Sequence, residues 1–133
     1  MNKMSSLEQV VYNILVRENF SFEREKRFKD CYNGLYRFDF YLPNQAMVIE
    51  VQGEQHYKFV KSFYSSKTDF KKAQERDRRK ISYCLARGIK IYCIPYWEIS
   101  HIHTFKDLIQ PKFLARTKFH NDNVYRQQIL KEQ

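Results

Sequence analysis

Asp39 and Glu50 are the residues whose type and spacing most directly suggest chemistry. They lie in YRFDFYLPNQAMVIEVQGEQHY, from Tyr36 to Tyr57, which reads as two β-strands joined by a tight turn and followed by a polar loop. In the first strand, Tyr36–Leu42, residues Tyr36, Phe38, Phe40 and Leu42 point one way, and Arg37, Asp39 and Tyr41 the other. In the second, Ala46–Gln52, residues Met47, Ile49 and Val51 share a face opposite Val48, Glu50 and Gln52. Pro43-Asn44-Gln45 supplies the turn chemistry. With Asn44 and Gln45 as the loop, Asp39 faces Glu50 and Arg37 faces Gln52, whereas a slip of one residue separates the two acids onto opposite faces. Like charges directly opposed destabilise a sheet. A cation belongs between them, and a hard divalent metal is the natural occupant.

The rest of the chain must hold this pair in place. Ser5 to about Asn19 reads as an amphipathic helix with Leu7, Val10, Val11, Ile14 and Leu15 as its stripe. Ser5 and Glu8 fit a capping box. Glu8 also borders the stripe, so it either caps or reaches a site. Phe20–Phe28 reads as a charged edge strand, and Lys29–Gly34 as the turn into the central hairpin. After Gly53, the segment Glu54–Thr68 mixes His56, Tyr57, Phe59, Phe63 and Tyr64 with Lys58, Lys61 and Lys67. Such a loop suits a polyphosphate partner, or its aromatics fold back onto the core.

Asp69–Gly88 is the strongest helix, with Phe70, Ala73, Ile81, Cys84 and Leu85 on one face and Gly88 as its C′ residue. Asp77 falls on that face, where an isolated carboxylate is costly. It either makes a structural ion pair, with Arg37 for instance, or serves the Asp39/Glu50 site or orients His56. Arg76, Arg78, Arg79 and Lys80 mostly point elsewhere and are candidate phosphate contacts with Arg37, Lys58, Lys61 and Lys67. The strand Lys90–Tyr96 follows, so strand, helix, strand forms a crossover that lays it parallel to Ala46–Gln52. Pro95 ends it. Glu98–His101 begins a turn or short helix. Thr104–Arg116 reads as a weak helix that Pro111 breaks or kinks. Residues 1–116 make one domain, and 117–133 a polar, basic tail or short helix.

Composition bounds the partners. At 133 residues, with 43% hydrophobic and 17% aromatic side chains, the chain supports one core and is not disordered. A net charge of +9 points to an acidic partner, nucleic acid first. Cys31, Cys84 and Cys93 are odd in number, with no CxxC pair, which fits reduced thiols in a cytoplasm. The N-terminus lacks an apolar signal core and no run is long enough to span a membrane. The expected location is cytoplasmic, the host cytoplasm if phage-encoded, or the nucleus where the host has one.

Asp39 followed by Glu50-x-Gln52 on consecutive strands resembles the PD-(D/E)xK nuclease superfamily. Gln52 stands where that family usually has lysine. Glu8, Asp39, His56 and Asp77, with VIEVQGEQHY and ERDRRK…GIKIYCIPYWE, look like the very-short-patch-repair and phage homing endonuclease branch, with its helix Glu, strand Asp, loop His and later Asp. The resemblance spans roughly residues 5–100. It implies an α/β (α+β) fold: a central mixed sheet of about four strands flanked by helices, as in restriction endonucleases. It also implies a metal-dependent DNA endonuclease. Mg²⁺, with Mn²⁺ as substitute, would sit on Asp39, Glu50 and the Val51 carbonyl. His56 would act as general base, with Gln52 orienting water or a phosphate oxygen and Asp77 and Glu8 supporting. The three cysteines form no structural zinc site and no room remains for a separate DNA-binding module, so mismatch specificity and homing are not implied. The rival expectation is an inactive nucleic-acid-binding protein that keeps the fold, and a third is a basic subunit of an acidic protein. A homodimer is an open alternative, with no surface pattern marking its interface.

Overall fold

The computed structural model describes residues 3–133. Strands β1 (Glu23–Lys26), β2 (Phe38–Leu42), β3 (Met47–Gln52) and β4 (Lys90–Pro95) form one sheet in that order. The first two pairings are antiparallel and β3 runs parallel to β4. The helices are α1 (Ser6–Arg17), α2 (Lys67–Ala86), the single turn α3 (Phe105–Leu108) and α4 (His120–Lys131). This is a four-stranded mixed sheet flanked by helices, as expected.

Local chemistry accounts for the element ends. Ser5 Oγ accepts from the Glu8 amide at 3.1 Å and Glu8 Oε1 accepts from the Ser5 amide at 3.2 Å, closing the capping box of α1. Ser66 caps α2 by accepting from the Asp69 amide at 3.1 Å. Gly88 follows α2 with φ 69, the left-handed position that ends a helix. The β2–β3 turn is a 3₁₀ turn over Pro43–Gln45, closed by Ala46 at φ 50. It pairs Leu42 with Met47, Tyr41 with Val48 and Phe40 with Ile49, the register that sets Asp39 beside Glu50.

All six residues of β3 are buried, because helices cover both faces of the sheet. On one face Phe40, Leu42, Met47, Ile49, Val51, Tyr92 and Ile94 pack against Val11, Ile14 and Leu15 of α1 and against Ile102, Leu108 and Phe113. On the other, Phe38, Val48, Ile91 and Cys93 meet Ile81, Tyr83 and Cys84 of α2. Burying one such side chain contributes about 1.5–3 kcal/mol.

Several expectations are corrected. The first central strand does not keep one alternation: Tyr36 and Phe38 join the α2-side core, while Phe40 and Leu42 join the α1-side core. The switch falls at Asp39. There the β2–β3 ladder stops and the facing edge-strand residue Glu25 takes φ 51; the edge strand itself covers only Glu23–Lys26 and not Phe20–Phe28. Leu85 is 39% exposed, past the end of the apolar stripe. The helix expected over Thr104–Arg116 is broken, as Pro111 in its pattern implied, into the single turn α3 and a separate 3₁₀ turn over Pro111–Phe113, since proline lacks the amide a continuous helix needs. Of the two readings of residues 117–133, the short helix holds. Arg78 donates to Asp122 at 3.0 and 3.2 Å, and Tyr125 packs against Tyr57 at 5.6 Å and Trp97 at 6.4 Å, so α4 is docked. Cys31, Cys84 and Cys93 are free and buried. Burial raises all three thiols, Cys84 to about 12, which keeps them protonated and unreactive. Among the described residues no helix is long and apolar enough to cross a membrane.

Candidate active site

Asp39 and Glu50 meet where β2 and β3 stop pairing. The Asp39 amide donates to Glu50 Oε2 at 2.7 Å, and the Val51 amide donates to Asp39 Oδ2 at 2.8 Å. Two main-chain donors at the end of the ladder thus serve carboxylates. In a strand the carbonyl and amide of one residue face the same neighbour, so the Val51 carbonyl faces this gap too. Burial, and then the facing Glu50, hold the Asp39 carboxyl well above the usual carboxylate range, against the opposing pull of Lys80 and the Val51 amide.

The cation beside the acids is a lysine. The Lys80 ammonium pairs with Glu50 Oε1, and the two residues are only 7% and 4% exposed. Burial alone would lower the Lys80 pKa, but Glu50, Asp39 and Asp77 outweigh it and hold the ammonium above its ordinary range. The expectation of Lys80 as a surface phosphate contact is therefore corrected. Lys80 lies three residues after Asp77 on α2, so the helical period that turns Asp77 inward turns Lys80 inward as well. That signal was present in the sequence.

Asp77, also 7% exposed, accepts from His56 Nδ1 at 2.8 Å. Of the two readings of Asp77, the structure brings it to His56 and not to Arg37, which pairs with Glu25 at 3.4 Å. With Nδ1–H given to the carboxylate, Nε2 is the basic atom of the ring. Gln52 is buried and accepts from the Tyr57 hydroxyl at 2.7 Å, so its amide is fixed from behind. Glu8 keeps its capping bond, lies 3.7 Å from Arg24, and adds repulsion at Asp39.

The other basic candidates divide. Lys61, Lys67 and Arg76 make no ion pair among the described residues. Lys58 lies 3.4 Å from Glu54, and Arg79 donates to the Tyr36 hydroxyl at 3.2 Å and lies 3.7 Å from Glu75. Arg78 is spent on Asp122 and Glu75. The loop aromatics divide as well: Tyr57 is buried, Phe59 and Tyr64 pack with Phe70, and Phe63 is 61% exposed.

Among the described residues no group of three or more His, Cys, Asp or Glu converges on one point. The groups at the end of the ladder that could face a cation are the Asp39 and Glu50 carboxylates, already bonded to the Val51 amide, the Asp39 amide and Lys80.

The chain is 34% identical over 58 residues to uncharacterized protein 307L of Invertebrate iridescent virus 6, and 39% identical over 59 residues to uncharacterized protein 094L of Frog virus 3 (isolate Goorha). Each match covers 44% of this chain, and they cover 29% and 38% of the two relatives. The chain thus spans well under half the length of these viral proteins. No family model matches. No solved structure matches.

Proposed function

We propose that this chain is a metal-dependent DNA endonuclease that hydrolyses phosphodiester bonds. The observation that carries the reading is the convergence of Asp39, Glu50 and Lys80 at the end of the β2–β3 ladder, with Asp77 and its partner His56 one helical turn from Lys80 on α2. Asp39, Glu50 and the Val51 carbonyl would hold Mg²⁺ or Mn²⁺, which when bound polarises a phosphoryl oxygen and lowers the pKa of its water. Lys80 pairs with Glu50 in a buried setting and supplies the ammonium that Gln52 cannot. Asp77 fixes the His56 ring so that Nε2 accepts a proton from the attacking water. Lys61, Lys67 and Arg76 supply phosphate contacts to the DNA.

One observation favours a second reading, a nucleic-acid-binding module without catalysis. Both Glu50 oxygens are already engaged, by Lys80 and by the Asp39 amide. Plasmid nicking separates the two. The endonuclease reading expects nicking in Mg²⁺, none in EDTA and none for Asp39→Ala. Equal DNA binding by both proteins with no cutting in any condition supports the module. DNA affinity that is flat against salt counts against both and favours an acidic protein partner.

A further inference from the structure

The C-terminal helix builds a cavity against the loop that carries His56. It measures about 230 Å³, and its lining includes His56, Tyr57, Gln74, Asn121, Tyr125 and Arg126. An apolar cavity of roughly 150 Å³ accepts a benzene ring, so this one has room for a single base and not for a duplex. Asn121 is only 8% exposed, and both its side-chain N and O lack a hydrogen-bond partner. A buried amide in that state is costly and calls for an explanation. It lies on the wall shared with a second, smaller cavity that touches Asp77. Its terminal torsion is soft, so a turn of the amide offers a donor beside an acceptor to the larger space.

We propose that this cavity is a subsite for one unpaired nucleobase of the strand being cut. Every Watson–Crick edge presents a donor next to an acceptor, the complement of the Asn121 amide, and enzymes that take up a single base read that edge. Tyr125, stacked on Tyr57 at 5.6 Å, gives the cavity an aromatic wall for the base face. Arg126 is exposed and makes no ion pair among the described residues, which suits the phosphate of the same nucleotide. Asp122, the acid on the lining, is neutralised by Arg78. His56 belongs to the same lining, so a seated base holds its own phosphate beside the His56–Asp77 pair. Only an unpaired or extruded nucleotide has this edge free.

The subsite rests on the phosphodiester reading, and binding measured in EDTA, where the strand stays whole, tests it separately from cutting. The probes are a DNA hairpin with one unpaired nucleotide and the same hairpin with an abasic site there. Wild type is expected to prefer the base about tenfold. Asn121→Ala is expected to lose that preference and to bind the abasic hairpin as wild type does. Should circular dichroism find Asn121→Ala unfolded, Gln74→Ala carries the test, with a reduced preference expected. Equal wild-type affinity for the two hairpins, or a preference that survives the substitution, overturns the proposal. If wild type binds neither hairpin, the endonuclease reading fails and adenosine monophosphate replaces the hairpins in an NMR titration. Shifts at Asn121 and Tyr125 then support a base site on its own, and no shifts overturn it.

Discussion

Replacing Lys80 with methionine probes the pair on which the site is built. Lys80 and Glu50 are 7% and 4% exposed, and the substitution leaves Glu50 buried without its cation while keeping side-chain volume. Breaking a buried ion pair from one side costs about 3–5 kcal/mol. An orphaned carboxylate can escape by taking a proton, which at pH 7 costs about 3.7 kcal/mol for a group of ordinary glutamate pKa and at pH 5 about 1 kcal/mol. The expected loss is therefore about 3–3.7 kcal/mol at pH 7 and about 1 kcal/mol at pH 5. For 133 residues, at roughly 2.1 cal/mol/K of unfolding entropy per residue, that is a fall in Tm of roughly 11–13 °C at pH 7 and 3–4 °C at pH 5. Thermal melts by circular dichroism measure both. Lys80 itself stays charged across this range, since the carboxylates around it hold its pKa above the ordinary lysine value. The double variant Lys80→Met/Glu50→Gln is expected to regain at least half of the loss, because no buried charge is left alone and the glutamine oxygen still accepts from the Asp39 amide. A Tm loss under about 4 °C at pH 7, a loss that does not shrink at pH 5, or a double variant no better than the single one would refute the reasoning.

Asp39→Asn tests the opposite sign at the neighbouring acid. Its folded pKa lies above the ordinary value, so its contribution to stability is fullest below about pH 3.8 and is lost as pH rises through the folded pKa. The variant is expected to melt higher than wild type at pH 7, to lose that advantage toward pH 4, and to nick no plasmid; a lower Tm at pH 7 contradicts the assignment. His56→Ala is expected to impair cutting more than DNA binding, measured as nicking rate against affinity, and an equal loss of both points to a DNA contact instead. Arg78→Ala removes the bidentate hold on Asp122, a partly buried pair, and should cost about 1 kcal/mol. Hydrogen exchange should accelerate through His120–Lys131 while the sheet stays protected; an unchanged α4 would mean that Tyr125 alone docks it.

Much of the framework was legible in the sequence because it rests on short-range rules. Ser5 and Glu8 define a helix start, and Gly88 defines a helix end. The two residues at the centre of the hairpin turn fix which residues face each other, so Asp39 beside Glu50 followed from counting. A long helix between two strands implied the parallel pairing of β3 with β4. Asp77 in an apolar register had to meet a partner, and His56 was one of those named. What the sequence left open was which partner each inward group meets, because periodicity fixes a face and not the residue across from it. Only packing brought Lys80 of α2 to Glu50 of β3, turned Phe38 to the opposite face from Phe40 where the strands part, and carried α4 back over the loop of His56. Those contacts join residues far apart in the chain, and they form only once apolar burial on both sides of the sheet has fixed the helices that carry them.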